Sequence, residues 1–569
     1  MDNGAEQSSG SSRAALKRKK KLKKKRPQQA PLVAPAPSKK QKKKQKKEQK
    51  ASPPPSLPPP PRPAATSDDV LDVVDAHDVA PAAVVRAAKS RTQEDCDARG
   101  RRVLRALLAP VGARAFYEDT FEKRGLLVKG RDASYLRGWC SSDQVFASLG
   151  QPALAGVDVD VTRYDPAAEV RRNLKTEGVV EEEWARRQLE QGATIRLRQP
   201  QDRIPGVAAL CRALEGEFGA TVGANAYLTA RDGAQGFAAH WDDVDVFILQ
   251  LEGRKRWRVG APASELYRLP RASSADFDEE AIHKLCPHLT EVVLAPGDVL
   301  YLPRGFVHCA TTEGSQNSLH LTLSTHRANA WADLLDAALP QALAEAIQAD
   351  PRLREALPRD CLHFMGVAHA ADSSDDDEEA DASDDDASVS EVAAVRYDPE
   401  VPRSRKLQKR RRDAFAQRCA GHCKDVLARL LANLDATCDA RGSAFVAERM
   451  PPAAPAKGDP GAITATTRVH CAERRDVRLV PGDEGVLLYH ALDNATMFRG
   501  RPVACLEFEA EDAPALEALL ASHAARPVLV RDLPHASDED KVAVTASLYA
   551  EGLLAVSVSG KEASSSDSD

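Results

Sequence analysis

Apolar positions along the chain change period several times, and each change predicts a change of element. Val103, Leu104, Leu107 and Leu108 recur at helical spacing. ATIRLRQP and TVGANAYLTA read as strands separated by a helix around Val207 to Phe218. Between Asp298 and Thr325 the chain is strand-rich. There Leu319, Leu321 and Leu323 alternate with His320, Thr322 and Ser324, so one face packs and the polar face is turned to a site. From Ala328 the period becomes helical, through Leu334, Leu335, Leu339, Leu343 and Ile347, with breaks expected at Pro340 and Pro351. It resumes with Phe415, Val426, Leu427, Leu430, Leu431 and Leu434. Further on, Asp512 is placed to cap a helix with Pro514 in its first turn and Leu516, Leu519 and Leu520 on its apolar face. Ser537 with Asp540 predicts a capping box for a last helix ending near Gly552.

The pattern is densest over residues 231–259, RDGAQGFAAHWDDVDVFILQLEGRKRWRV. The apolar run from Val244 to Leu251, the turn at Glu252-Gly253 and the basic stretch Arg254 to Val259 predict a β-hairpin. His240 and Asp242 open the run. In a strand, side chains two apart share a face, so both can reach one ion. Imidazole plus carboxylate is two thirds of the 2-His-1-carboxylate facial triad, which leaves positions open on non-haem Fe(II). Alone the pair is weak, because it recurs by chance in chains of this size. Further on, Gly297, Pro303, Gly305 and His308 in APGDVLYLPRGFVHCATT have the spacing G-x5-P-x-G-x2-H. That spacing resembles the second sequence motif of cupins, which are double-stranded β-helix (jelly-roll) proteins. The alternative is an ordinary β-sandwich in which these are satisfied polar residues.

After the turn, Lys255, Trp257 and Val259 share one strand face and Arg254, Arg256 and Arg258 the other. A lysine on an apolar face needs a counter-ion unless it snorkels to solvent.

Composition adds the flanks. The net charge of −5 over 569 residues hides an asymmetry: the first 50 residues hold 18 Lys or Arg against three acids, and residues 372–386 hold ten Asp or Glu and no base. Residues 1–66 read as a disordered basic and Pro-rich tail for nuclear or nucleolar targeting, or for non-specific RNA contact. Without aromatics such contact would be to phosphates; a merely solvated tail is the plain alternative. Residues 67–98 read as a linker with some helical character. No apolar run reaches the ~18 residues of a membrane helix, and the charged N-terminus lacks the apolar region of a secretory signal. Eleven Cys without a regular framework fit a reducing compartment, as Fe(II) does. Cys419, His422 and Cys423 lack a paired second half for zinc.

HWDDVDVFILQLEGRKRW, the upstream GANAYLT, SLHLTLSTH after the distal histidine and the entry segment AFYEDTFEKRGLLVKG together resemble the JmjC ribosomal oxygenases. These are 2-oxoglutarate- and Fe(II)-dependent protein hydroxylases, and the nucleolar branch, the bifunctional lysine-specific demethylases and histidyl-hydroxylases, is the most similar. The resemblance covers about residues 100–340 and 400–557. It implies an α+β chain: a double-stranded β-helix (cupin or jelly-roll JmjC) catalytic domain over 99–327, a helical dimerisation segment over 328–437 with an acidic disordered insert at 372–391, a winged-helix domain over 440–557 and a disordered tail over 558–569. It implies Fe(II) on His240, Asp242 and His308, with 2-oxoglutarate and molecular oxygen as co-substrates and no catalytic side chain beyond the metal ligands. Lys255 matches the lysine that receives the co-substrate's distal carboxylate, and Asn225 and Ser324 match polar positions near the co-substrate. Tyr227, on the strand face of Asn225, is expected to touch substrate.

By the same resemblance the expected reaction is hydroxylation of a histidine of a ribosomal protein in the nucleus or nucleolus by a homodimer. Lysine demethylation on histone tails is the close alternative. A nucleolar or chromatin scaffold with an idle metal site is the alternative of another class, against which the full triad and Lys255 weigh. The acid-rich winged-helix segment (EFEAED, SDEDK) favours protein contact over groove reading.

Overall fold

The computed structural model describes residues 70–77, 96–358, 361–367, 405–452, 457–496 and 504–557. The basic tail 1–66, the acidic insert 372–391 and the tail 558–569 lie outside the described residues.

Among the described residues, twelve strands build the part of the chain before Asn329: β1 (Leu71–Asp75), β2 (Gly125–Lys129), β3 (Val159–Asp165), β4 (Val170–Asn173), β5 (Thr194–Arg198), β6 (Gly223–Thr229), β7 (Asp245–Glu252), β8 (Arg254–Gly260), β9 (Thr290–Leu294), β10 (Val299–Leu302), β11 (Val307–Glu313) and β12 (Ser318–Thr325). Nine form one sheet in the order β1-β2-β10-β7-β12-β6-β5-β3-β4, and β11-β8-β9 form a second. This is the double-stranded β-helix of an α+β chain. Alternation sets the two faces of the large sheet. Ala224, Ala226, Leu228, Phe247, Leu249, Leu319, Leu321 and Leu323 join a core that includes Val103, Leu104 and Leu107 of helix α1 (Cys96–Leu108) and Leu210 and Leu214 of helix α2 (Pro205–Phe218). The opposite face gives Val246, Ile248, Leu300 and Leu302 to a second cluster shared with Trp257, Val259 and Leu294 of the small sheet. Both faces of the large sheet are therefore covered.

Two sequence expectations are corrected here. The stretch 244–259 is not a hairpin: β7 pairs with β10 and β12, whereas β8 pairs with β11 and β9. The turn at Gly253 carries the chain from one sheet to the other. Its φ is +61°, and a Cβ there would lie 2.2 Å from the Asn317 carbonyl oxygen, so only glycine fits. The apolar run of β7 does not alternate because both its faces are buried. The stretch 67–98 is also not linker throughout. β1 pairs in parallel with β2, and Val70 and Leu71 are buried, which orders the segment.

A separate compact unit spans Asn329–Arg441. Its helix α3 (Trp331–Ala349) runs unbroken through Pro340, contrary to the expected break. Pro340 is exposed, so the carbonyl it leaves without a donor can be hydrated. Pro351 does end the helix and opens a 3₁₀ turn, Pro351–Arg354. α3 packs through Ala338 and Ala342 against Leu430 and Val426 of helix α4 (Arg405–Ala432). Leu335, Leu339, Leu343 and Ile347 remain 39–45% exposed. Cys419 and Cys423 are exposed, and His422 lies by Asp350 and Asp425, whose carboxylates both bond the Arg352 guanidinium.

The C-terminal domain has its own core, with Val469, Leu488, Leu516, Leu519, Val544 and Leu548 at its centre. Ser537 Oγ accepts from Asp540 N (3.2 Å) to start helix Asp538–Glu551, and Gly552 ends it at φ 87°. Asp512 precedes helix Ala513–Ala521 but makes no side-chain cap bond; its Oδ2 accepts from Glu509 N (3.3 Å). Buried charges join this domain to α2: Arg212 donates to Met450 O (2.7 Å) and Asp476 Oδ2 (2.6 Å), and Arg449 pairs with Asp476 (2.7 Å).

Candidate metal centre

His240 lies just before β7 and His308 near the start of β11. The two face each other as a hydrogen-bonded antiparallel pair, His240 N donating to His308 O (3.2 Å) and His308 N to His240 O (2.9 Å). Gly305 N donates to Asp242 O (3.0 Å). These bonds bring residues far apart in sequence onto one spot. Ligand atoms of His240, Asp242 and His308 all lie within 4.8 Å of one another.

The tautomers follow from the backbone. His240 Nδ1 lies 2.8 Å from Ala238 O, and His308 Nδ1 lies 3.0 Å from Phe306 O. A carbonyl only accepts, so both Nδ1 atoms carry the proton and both Nε2 atoms offer a lone pair. The Nε2 atoms lie 3.9 and 3.7 Å from the two oxygens of Asp242. Burial and the neighbouring His240 push His308 down to about 4, which keeps the ring neutral, as a ligand must be. Imidazole, imidazole and carboxylate fit Fe(II) with open positions.

Lys255 reaches into the space between the sheets. It is 5% exposed, and its Nζ donates to Thr229 Oγ1 (2.9 Å) and lies 5.9 Å from the centre of the Trp257 ring. Among the described residues no carboxylate pairs with it, and burial pushes it down to about 7. A buried ammonium without a counter-ion marks a place for an anion. Four residues of β8 separate Lys255 from Val259, the register partner of His308. That is roughly 13 Å of strand, part of which the lysine side chain spans.

Tyr227 stands on the same wall. Its ring stacks on His320 (4.8 Å between centres, 4° between planes), its hydroxyl bonds Arg196, and Arg196 Nε donates to Asp160 (2.7 Å). The four residues occupy register-paired positions of β3, β5, β6 and β12. His320 also meets the edge of Trp257 (5.3 Å) and is held neutral by burial, Lys255 and His308. Asn225 lies opposite Thr322, and Ser324 opposite Gly223, both on this face and half-buried. Among the described residues neither hydrogen-bonds to His240, Asp242 or His308.

Sequence reasoning missed Thr229, Arg196 and Asp245. Alternation could have found the first two: Thr229 lies two residues beyond Tyr227, and Arg196 alternates with Ile195 and Leu197. Asp245 stood as a charge inside an apolar run.

Comparison with known proteins adds the family. The family described as JmjC domain matches residues 196–334. Residues 455–558 match the ribosomal oxygenase 1 C-terminal winged helix domain. Ribosomal oxygenase 1 of Rattus norvegicus is 33% identical over 480 residues, covering 80% of this chain and 72% of that protein. The bifunctional lysine-specific demethylase and histidyl-hydroxylase NO66 of Dictyostelium discoideum is 31% identical over 464 residues, 79% of this chain and 82% of that protein. A structure of the Escherichia coli ribosomal oxygenase YcfD with cobalt and 2-oxoglutarate is 16% identical with a TM-score of 0.37, covering 78% of this chain and 98% of that one. With such identity over most of both chains, and with both domain families matched, this chain belongs to the ribosomal oxygenase family of JmjC-domain proteins.

Proposed function

We propose that the chain is an Fe(II)- and 2-oxoglutarate-dependent dioxygenase that hydroxylates a histidine of a ribosomal protein. The observation that carries this reading is the pairing of two features along β8: an open His240–Asp242–His308 donor set, with His308 opposite Val259 and near Trp257, and the buried Lys255 ammonium with no carboxylate beside it among the described residues. Bound Fe(II), with 2-oxoglutarate and molecular oxygen, supplies the oxidant for an unactivated C–H bond. The chain's residues do the rest. His240 Nε2, Asp242 and His308 Nε2 hold the ion on one face. Lys255 receives the distal carboxylate of the co-substrate and Asn225 lies on the same wall, whereas Ser324 lies six positions along β12 from Ser318, the register partner of Thr229, roughly 20 Å of strand from the ammonium, and does not reach that carboxylate. Tyr227, fixed between His320 and Arg196, offers a flat wall to the substrate side chain. Trp257 and the apolar walls exclude water.

The relatives' names support the substrate class, and the Dictyostelium relative's name supports lysine demethylation as a second reading, for which we infer a histone tail as substrate. Mass spectrometry separates them. With Fe(II) and 2-oxoglutarate, a ribosomal-protein peptide is expected to gain one oxygen on histidine. Loss of a methylene from methyl-lysine would favour the second reading, and no modification of either peptide would favour a scaffold with an idle site.

Two further readings concern assembly and place. Leu335, Leu339, Leu343 and Ile347 form one exposed stripe on α3, suited to a second copy of the chain in a homodimer. Sedimentation of the full chain is expected to give a dimer that Leu339→Asp converts to monomer; an unchanged mass for the variant counts against the stripe. Residues 1–66 are read as carrying the chain to the nucleus and nucleolus, with non-specific RNA contact through phosphates. A fluorescent reporter fused to them is expected in the nucleolus, and an even cytoplasmic spread would refute the role.

A further inference from the structure

The segment that holds His240 and Asp242 is tied to the segment that delivers His308 by three backbone hydrogen bonds, two between His240 and His308 and one from Gly305 N to Asp242 O. A fourth tie is made by side chains. Asp245, the first residue of β7, is fully buried. Its Oδ1 accepts from Arg304 N (3.0 Å), and its Oδ2 from Arg304 Nη1 (3.1 Å). The Arg304 side chain is 9% exposed, and its Nη1 also donates to Glu122 Oε1 (2.5 Å). Glu122 is held in turn: its backbone N donates to Tyr301 Oη (3.0 Å), and its carbonyl accepts from Arg268 (3.2 Å). Asp245 lies three residues after Asp242 and Arg304 four residues before His308, and neither is among the metal donors.

A carboxylate costs several kcal/mol to bury, and only a well-placed partner offsets that. Asp245 sits in an apolar run where packing alone would take Val or Leu. The charge pair therefore does something that apolar packing would not do. It fixes one chain segment against the other at a single separation, because Arg304 Nη1 and the Arg304 backbone N–H each hold one of the two carboxylate oxygens. The backbone ties run from the His240–His308 pair through Gly305–Asp242 to the β7–β10 ladder, where Val246 lies opposite Leu302, and the charge pair is the side-chain tie beside that ladder.

We propose that Asp245 and Arg304 are positioning residues of the metal centre: their charge pair, anchored to Glu122, sets the separation of Asp242 from His308 so that the three donors converge on one ion. The proposal rests on the metal reading of His240, Asp242 and His308.

Cobalt(II) titration of the metal-stripped full chain, followed by its visible absorption and by melting temperature, tests it. Asp245→Asn keeps the shape and an acceptor for Arg304 N but removes the charge pair. It is expected to weaken Co(II) binding about 10–100-fold and to change the spectrum of the bound ion. Arg304→Lys keeps the charge and the backbone N–H without the guanidinium that spans Asp245 and Glu122, is expected to lie between, and serves the same test should Asp245→Asn not fold. The double variant Asp245→Asn with Arg304→Gln leaves no buried charge alone, so it is expected to regain stability but not affinity. Leu323→Ala, a cavity on the sheet face that Asp245 shares but with the charge pair intact, is expected to lower the melting temperature and leave Co(II) affinity alone. A folded Asp245→Asn or Arg304→Lys chain that binds Co(II) as the native chain does, with the same spectrum, overturns the positioning role. If instead the native chain and His308→Ala bind Co(II) alike, the metal reading itself fails, and the proposal with it.

Discussion

His240→Ala, Asp242→Ala and His308→Ala are each expected to bring peptide hydroxylation to background while leaving the metal-free fold in place. The donor set has three members and no spare, so removing one leaves two donors where a stable facial site needs three. The fold does not depend on them in the same way. Side chains of His240 and Asp242 are 25% and 31% exposed, and none of the three belongs to the apolar clusters that hold the sheets together. The discriminating measurement is the melting temperature with and without Mn(II) or Fe(II). A ligand that binds only the folded state stabilises it by about 2.7 kcal/mol at a hundred times its Kd. The native chain is therefore expected to show a metal-dependent rise that all three variants lose, from nearly the same metal-free starting point. Hydroxylation retained by any metal-loaded single variant would remove that residue from the ligand set.

The sequence made the site more legible than the strand pairing around it. His240, Asp242 and His308 could be picked out because metal ligation fixes both residue type and spacing. Lys255 could be placed by alternation alone, since β8 is buried on one face and exposed on the other. β7 gave no such signal, because a strand covered on both faces loses its period. Its apolar run followed by a turn reads locally as a hairpin, yet its partners are β10 and β12, distant in sequence. Asp245 and Arg304 were illegible for a related reason: a charge inside an apolar run has meaning only beside its partner, and that partner is 59 residues away. On α3 the periodicity showed which residues share a face but not which face is covered. Leu335, Leu339, Leu343 and Ile347 keep the same spacing as Ala338, Ala342 and Ala346, and the alanines are the buried set. Small side chains let another helix approach closely, which hydropathy alone does not reveal.

Replacing Lys255 by Met is expected to abolish tight 2-oxoglutarate binding and, in the same protein, to raise the stability of the ligand-free chain. Both effects come from one ammonium buried without a carboxylate. When the co-substrate is bound, the ammonium and the distal carboxylate satisfy each other. Removing one partner of such a buried pair costs about 2–5 kcal/mol, at least about thirty-fold in affinity. When the co-substrate is absent, the charge has Thr229 Oγ1, the Trp257 ring and the neutral His320 near it and, among the described residues, no carboxylate. An apolar side chain of similar length removes that penalty and should add about 1–4 kcal/mol. The pH dependence gives the sign independently. Burial lowers Lys255 from 10.5 to about 7, so between these values the unfolded chain binds a proton that the folded chain does not. Stability of the native, ligand-free chain should therefore rise as pH goes from about 7 towards 10, and Lys255→Met should flatten that rise. Co-substrate affinity at saturating metal should run the other way, because the carboxylate requires the protonated amine: it weakens as pH rises through about 7, and binding takes up a proton. Lys255→Arg, which stays charged, should lose that dependence while retaining part of the affinity. Isothermal titration of the metal-loaded chain with 2-oxoglutarate at pH values on either side of 7, alongside thermal melts of the ligand-free variants, reads all of these. An unchanged 2-oxoglutarate affinity in Lys255→Met would mean that the distal carboxylate is received elsewhere. A lower melting temperature in that variant would mean that the ammonium is already compensated in the free protein.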